Sequence, residues 1–85
     1  MTQLEEQFEE AAKRVHTLSE RPSNEVLLNL YSLHKQACVG DVQGEKPAMF
    51  DFINAAKYNA WATRKGMSRE EAMQQYTDLV NGLFK

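Results

Sequence analysis

The sequence predicts an all-α protein of four helices without a β-sheet. Apolar residues recur every three or four positions in four separate segments, which is the spacing of one helix face. No segment alternates apolar and polar residues for long enough to predict a strand. The chain has 85 residues, about one domain (residues 1–85), and its two prolines and most of its four glycines fall between the four segments.

The first helix is predicted from Leu4 to Leu18. Thr2 precedes it as an N-cap residue, and Glu5 follows three positions later, which is the spacing of a capping box. Side chains then satisfy two backbone N–H groups at the start of the helix. The residues of its apolar face are Leu4, Phe8, Ala11, Ala12, Val15 and Leu18.

The second helix is predicted over residues 25–39. The preceding SERPSN (residues 19–24) holds Pro22, which breaks the first helix, and Ser23, which can cap the second. Gly40 is expected to end it. The residues of its broad apolar face are Leu27, Leu30, Tyr31, His34 and Cys38, with Leu28 and Ala37 at the edges.

A long loop, residues 40–51, is predicted before the third helix, and it is long enough to cross the molecule. The third helix is predicted over residues 52–64 and ends before Gly66. Ser68 and Glu71 have capping-box spacing and start the fourth helix, which is predicted to continue to the C-terminus. The inner side of the third helix is predicted to hold Phe52, Ala56, Ala60 and Trp61. The apolar residues of the fourth are Ala72, Tyr76, Leu79, Val80, Leu83 and Phe84.

Composition excludes several classes of protein. Hydrophobic residues make up 42% and charged residues 26%, as in an ordinary globular domain. The net charge is −2 and the pI about 5.6, which argues against nucleic-acid binding. One cysteine cannot form an internal disulfide, and no apolar stretch approaches the ~20 residues of a membrane span. We therefore expect a soluble, cytoplasmic monomer.

No catalytic or metal site is predicted. His34 and Cys38 are four residues apart on one helix, so their side chains can touch, but two ligands are too few for a structural zinc site. Cys38 is interpreted as a core cysteine beside a histidine at the core edge, because free cysteine is among the most buried residue types. A small thiol enzyme built on this pair is the disfavoured alternative.

Two tyrosines and two lysines indicate a binding site. Tyr31 and Lys35 lie one turn apart on the second helix. Lys57 lies among small and amide residues on the third helix. Tyr76 is the polar-tipped residue on the apolar face of the fourth. A bundle can bring these four side chains to the mouth of an apolar groove, where ammonium and hydroxyl groups suit a phosphate. The simpler interpretation is a tyrosine at the core edge and a solvated lysine.

These residues belong to longer stretches that resemble the acyl-CoA-binding protein family. The stretches are LYSLHKQACVGD (30–41), Pro47, DFINAAKYNAW (51–61), KG (65–66) and SREEAMQQY (68–76). The family pattern is close to YxxYKQAxxGD, then a proline, DFxxxAKWxAW, KG, and a late tyrosine. The resemblance runs from Phe8 to the C-terminus.

The resemblance implies a four-helix bundle with up-down-down-up topology and no enzymatic activity or cofactor. Such a protein binds one medium- or long-chain fatty acyl-CoA per monomer and carries or buffers it, with transient contacts to acyl-CoA-using enzymes or a membrane surface. By resemblance, Tyr31, Lys35 and Lys57 hold the adenine nucleotide and its 3′-phosphate, and Tyr76 lies at the acyl and pantetheine side. The residues that would line the groove for the chain are Phe8, Ala12, Val15 and Leu28.

The chain departs from the family pattern at several site positions. His34 replaces the second tyrosine, near the adenine. His16 stands where lysine is common, so one phosphate contact is expected to be weaker or pH-dependent. Ile53 and Ala55 replace lysines at the start of the third helix, and Tyr58 replaces a tryptophan. These replacements leave fewer positive charges at the site than the family pattern has. They motivate the alternative function, a helical protein–protein adaptor that has kept the fold and lost tight ligand binding.

Overall fold

The computed structural model describes residues 2–84; Met1 and Lys85, the ends of the predicted domain, lie outside this range. Four α-helices form within it, and no strand does. Their bounds are α1 Gln3–Arg14, α2 Asn24–Cys38, α3 Phe52–Ala62 and α4 Arg69–Leu83. The predicted all-α class is confirmed. None of these helices is long and apolar enough to cross a membrane.

The caps predicted for α1, α2 and α4 are confirmed, whereas α3 begins after Asp51 without a side-chain cap. The Thr2 hydroxyl accepts a hydrogen bond from the Glu5 N–H at 3.1 Å, and the Glu5 carboxylate accepts one from the Thr2 N–H at 3.3 Å, which completes a capping box. At α2 and α4 the hydroxyls of Ser23 and Ser68 each accept a hydrogen bond from the N–H three residues later.

All four helices end before the predicted residue. Helix α2 ends at Cys38, one residue early, and α4 ends at Leu83. The α-helical part of α1 ends at Arg14, and a 3₁₀ turn over Val15–Thr17 completes the segment. This is a common way to tighten the last turn of a helix. The third helix ends at Ala62 rather than Arg64, because the chain turns over residues 63–66 and reaches Gly66 in the left-handed region with φ +90°.

Helix α2 is the central element of the bundle. It packs against α3 on one side and α4 on the other, and α1 packs against α4. The long connection over residues 39–51 carries the chain back before α3 begins, which gives the predicted up-down-down-up order. The residues of the buried core, from α1, α2 and α4, are Phe8, Ala11, Leu30, Leu33, Ala37, Ala72, Tyr76 and Val80.

Three predictions of burial are wrong. Phe84 is 38% exposed, because α4 ends at Leu83 and the Phe84 ring lies against the Arg14 guanidinium, 4.3 Å from the ring centroid. Cys38 is exposed, because the buried face of α2 runs through Leu30, Leu33 and Ala37, and the last helical residue points away from it. Phe52 is also exposed, because α3 packs against α2 through later residues and buries Trp61. The sequence pattern alone omitted Leu33, although it lies three residues after Leu30.

A polar clamp joins the end of α2 to the turn between α3 and α4. The Asp41 carboxylate accepts hydrogen bonds from the Gly66 N–H at 2.8 Å and from the buried Gln36 side chain at 2.9 Å. Gln36 also donates to the Met67 carbonyl at 2.9 Å. These contacts, together with a 2.8 Å bond from the Trp61 indole to the Gly40 carbonyl, set α3 against α2 and so position the site.

Candidate functional site

Two lysine side chains converge on the ring of Tyr31. The Lys57 Nζ of α3 lies 5.4 Å from the ring centroid, and the Lys35 Nζ of α2 lies 5.9 Å from it. Lys35 is also 5.5 Å from the centroid of the buried Trp61 ring. Ammonium groups within about 6 Å of an aromatic centroid are attracted to the ring face. The tertiary structure therefore brings the ammonium groups of Lys35 and Lys57 to one aromatic ring.

A cleft between α2 and α3, the α2–α3 cleft, opens beside this ring and has a volume of about 450 Å³. Its lining residues are Arg21, Asn24, Leu27, Leu28, Tyr31, Phe52, Ile53, Ala56 and Lys57. The walls are largely aliphatic or aromatic. Among residues 2–84, two cationic side chains and no carboxylate line the cleft, so it favours an anionic or apolar occupant.

A second cleft, the α1–α2 cleft, has a volume of about 340 Å³. Its lining residues are Ala12, Val15, His16, Pro22, Leu27, Leu30, Tyr31, His34 and Tyr76. Leu27 and Tyr31 line both clefts, so the two spaces meet along one face of α2. Each volume falls in the range of small-molecule sites, and together they form an extended surface for one ligand.

An aromatic cluster lies at the inner side of the α1–α2 cleft, where His34 and Tyr76 line the cleft and Phe8 is buried behind them. The rings of Phe8, His34 and Tyr76 contact one another pairwise. The centroid distances are 5.4 Å from Phe8 to His34, 5.7 Å from His34 to Tyr76 and 5.1 Å from Phe8 to Tyr76, the last pair meeting edge to face. Burial, with a smaller effect of the Lys35 charge, lowers the pKa of His34 below its ordinary 6.5. Burial raises the pKa of the Tyr76 hydroxyl, and the Cys38 thiol adds to the effect.

The predicted site residues divide between the two clefts. Ala12, Val15, His16, His34 and Tyr76 line the α1–α2 cleft. Lys57 and Leu28 line the α2–α3 cleft, so Leu28 is separated from the other residues assigned to the chain groove.

Lys35 and Phe8 line neither cleft. The Lys35 ammonium nevertheless reaches the shared Tyr31 ring. Phe8 is buried behind the cleft, where it supports His34 and Tyr76. Its contact with a ligand in the clefts would therefore be indirect.

Arg21 is a site residue that the sequence analysis missed. It lies before α2, lines the α2–α3 cleft, and donates from Nη1 to the Asn24 side chain at 3.1 Å. The pattern of residues 19–24 predicts a helix break and a cap for α2, but no ligand contact. The available signal was an arginine three residues before the first turn of the helix that carries Tyr31.

Cys38 and His34 do touch, with the thiol sulfur 3.7 Å from the imidazole Nδ1. The lowered pKa of His34 keeps the imidazole neutral near pH 7. Among residues 2–84, no group of three or more His, Cys, Asp or Glu side chains is placed to hold a metal ion. The site as a whole offers cationic and hydroxyl groups beside apolar walls, which suits binding of an anionic amphiphile.

Comparisons with known proteins agree with this geometry. Residues 5–80 match the family model described as acyl-CoA-binding protein. The Arabidopsis thaliana acyl-CoA-binding domain-containing protein 6 is 49% identical over 82 residues, which cover 96% of this chain and 89% of that protein. The crystal structure of acyl-CoA-binding protein 2 from Oryza sativa superposes with a TM-score of 0.91 at 43% identity, covering 95% of this chain and 90% of the other.

A third relative carries an enzyme's name. Enoyl-CoA delta isomerase 2 from Rattus norvegicus is 43% identical over 83 residues, which cover 98% of this chain but only 21% of that protein. Its name therefore describes a much longer protein, and this chain matches only about a fifth of it. The family model and the full-length relatives decide the assignment: this chain belongs to the acyl-CoA-binding protein family.

Proposed function

We propose that this chain is a non-enzymatic carrier that binds one medium- or long-chain fatty acyl-CoA per monomer in the cytoplasm, within a single domain over residues 1–85. The observation that carries the proposal is the pair of clefts that meet at Tyr31 under the ammonium groups of Lys35 and Lys57. A ligand with a dense anionic group and a long apolar chain uses both features.

The phosphate end of the ligand is assigned to the Tyr31 region. Charge-assisted hydrogen bonds from two ammonium groups are about twice as strong as neutral ones, and the phenol hydroxyl adds a further donor. Both ammonium groups already lie within 6 Å of the ring centroid, so little reorganisation is needed. These contacts would select the 3′-phosphate of coenzyme A over an uncharged ligand.

We assign the acyl chain to the α2–α3 cleft and the adenine ring to the α1–α2 cleft. This proposal moves Ala12, Val15 and Tyr76 from the acyl side, where the resemblance puts them, to the adenine side. The α2–α3 cleft is the larger, and its wall includes Leu27, Leu28 and Ala56. The α1–α2 cleft has polar-tipped aromatic side chains, His34 and Tyr76, against which a flat base can stack. Each buried methylene contributes about 0.8 kcal/mol, so ten contribute about 8 kcal/mol before ordering costs. The chain should then dominate affinity.

The test is isothermal titration calorimetry with palmitoyl-CoA below its micelle concentration, and with coenzyme A and palmitate alone. We expect tight one-to-one binding of the thioester and weak binding of both halves. Lys57→Ala should weaken thioester binding about tenfold or more, because a charge-assisted bond contributes about 1.5–3 kcal/mol. Lys13→Ala is the matched control, since Lys13 is exposed on α1 and lines neither cleft.

The alternative function, a helical adaptor, predicts a different titration. The residues that favour it are His16, Ile53 and Ala55, which stand where the family pattern has lysines and so reduce the positive charge around the site. If the folded native chain gives no heat with palmitoyl-CoA, the carrier proposal fails and the adaptor stands. An equal loss in the Lys57 and Lys13 variants would instead refute the assigned phosphate contact.

A further inference from the structure

The two cationic side chains of the α2–α3 cleft lie at its opposite ends. The Lys57 ammonium lies 5.4 Å from the Tyr31 ring centroid. One turn later on each helix, the Lys35 ammonium lies 5.5 Å from the Trp61 ring centroid, so α2 and α3 run side by side in the same direction. Lys57 therefore lies at the Tyr31 end of the cleft, and Arg21, which precedes α2, lies at the end where both helices begin.

The wall between these two ends is apolar. Its lining residues are Leu27, Leu28, Phe52, Ile53 and Ala56. Asn24, the first residue of α2, lines the cleft beside Arg21 and lies about 10 Å from Tyr31 along the helix axis, at 1.5 Å per residue. An extended chain advances about 1.2 Å per bond, because a residue of three backbone bonds spans at most about 3.3–3.6 Å. An acyl chain of about eight to ten carbons therefore reaches from the Tyr31 end to Arg21.

The Arg21 guanidinium keeps donors free for a ligand. Its Nη1 donates to the side-chain oxygen of Asn24 at 3.1 Å, and this amide is a neutral partner. A guanidinium carries five N–H donors in a planar fork that matches a carboxylate. Of the acidic residues close to it in the chain or at the start of α3, which are Glu20, Glu25 and Asp51, none lines the cleft. Glu20 lines a separate hollow of about 250 Å³, and the Asp51 carboxylate accepts a hydrogen bond from a side chain of α3.

A chain that ends in a methyl group does not satisfy this end of the cleft. Such a chain would displace water from the guanidinium without supplying an anion, and the loss of hydration around an unpaired charge is unfavourable. A terminal carboxylate would instead accept two parallel hydrogen bonds from the guanidinium. The methylenes between the two ends of such a ligand would still cover the apolar wall.

We propose that Arg21 binds the terminal carboxylate of an ω-carboxylated acyl chain, so that the ligands of this protein include coenzyme A thioesters of medium-chain dicarboxylic acids. The inference rests on the proposed function, which places the coenzyme A end of the ligand at Tyr31 and its chain in the α2–α3 cleft. Its own basis is a cation at the far end of an apolar wall, about one medium chain away from the Tyr31 end.

The test is calorimetric titration with decanoyl-CoA and with decanedioyl-CoA, which has a carboxylate in place of the terminal methyl group. The measured quantity is the ratio of the two dissociation constants. Arg21→Met keeps an apolar side chain of similar reach and should shift the ratio about fivefold against decanedioyl-CoA, the effect expected for a solvent-accessible ion pair. Arg21→Lys, which keeps the charge but not the planar fork, should give a smaller shift.

The control variant is Lys13→Met, which removes one positive charge from an exposed position of α1 outside both clefts. It should leave the ratio at its native value. An equal shift in the Lys13 and Arg21 variants would overturn the inference, because the net charge of the protein would then account for the preference.

Palmitoyl-CoA titration of the native chain separates this inference from the proposed function. If decanoyl-CoA and palmitoyl-CoA bind but Arg21→Met leaves the ratio unchanged, the carboxylate subsite is refuted and the carrier function stands. Arg21 would then contact the chain only through its apolar stem. If neither thioester binds the folded native chain, the proposed function fails, and this inference fails with it.

Discussion

At the scale of single residues, the site depends on groups that combine an apolar body with a polar or charged end. Tyr31 packs its ring into the wall of both clefts and attracts the ammonium groups of Lys35 and Lys57 to that ring. A leucine at this position would fill similar space but would not hold two positive charges together. His34 is a second such residue, since its imidazole packs against the rings of Phe8 and Tyr76.

The burial of His34 predicts a specific pH dependence of stability. The pKa of His34 is below 6.5 in the folded chain, chiefly through burial, so the unfolded chain binds the proton more readily. Stability should be complete above pH 6.5 and should fall as the pH drops from 6.5 towards the folded pKa. Urea unfolding across this range measures the effect.

The control for this prediction is the second histidine of the chain. His34→Gln should remove the loss of stability between pH 6.5 and the folded pKa, whereas His16→Gln should retain it, because His16 is exposed. An NMR titration assigns each imidazole directly. A His34 pKa at or above 6.5 would contradict the prediction.

At the scale of elements, the positions of α2 and α3 depend on contacts at their ends. Asp41 joins the segment after α2 to the α3–α4 turn through Gln36 and Gly66. Arg69, at the start of α4, donates to the carbonyls of Ala37 and Cys38 at 3.1 Å and 2.7 Å, and so satisfies the C-terminal end of α2. These bonds connect helices that are far apart in sequence.

The Asp41 clamp predicts loss of stability in acid. The Gly66 N–H, followed by the Gln36 amide, lowers the pKa of Asp41 below its ordinary 3.8 in the folded chain. Its contribution should therefore be complete above pH 3.8 and lost as the pH falls through the lower, folded pKa. Asp41→Ala should lower the melting temperature at neutral pH. It should also reduce the further loss of melting temperature between neutral pH and acid. Glu45→Ala, in the exposed connection, should change neither the melting temperature at neutral pH nor its fall in acid. If the melting temperature falls equally in acid in both variants, the role of Asp41 in the clamp is refuted.

At the scale of the whole molecule, one helix supports both the core and the site. The face of α2 with Leu30, Leu33 and Ala37 is buried in the bundle, and the face with Leu27 and Tyr31 is the shared wall of the two clefts. The molecule is flat, 37 × 29 × 15 Å, because α3 packs mainly on α2 instead of closing over the core. This arrangement leaves the α2–α3 cleft open.

The central place of α2 predicts a large cost for shortening Leu33. Leu33→Ala should reduce the free energy of unfolding by about 2–5 kcal/mol, because it opens a cavity in a closely packed core. That is a large share of the roughly 5–15 kcal/mol that stabilises a typical domain. Ile53→Ala is the matched control at an exposed position and should stay within about 0.5 kcal/mol of native. Urea unfolding measures both, and equal losses would contradict the assigned core.

The sequence by itself determined the helices and the class of the candidate ligand site. Helix starts were predictable because capping depends on residues three positions apart, as at Thr2 and Ser68. The lysines and tyrosines of the site were found because charged and polar-tipped residues interrupt apolar helix faces. The motifs around Lys35 and Lys57 then indicated the family, which the comparisons show.

Only the tertiary structure decided which apolar residues are buried and how the site is divided. Cys38 and Phe52 have the same hydrophobic character as core residues, but the helix packing leaves both exposed. The split of the groove residues between two clefts, and the place of Arg21 in one of them, depend on where α1 and α3 lie against α2. Helical periodicity predicts which residues share one face of a helix. The long connection between α2 and α3 and the hydrogen bonds at the helix ends decide which other helix packs against that face.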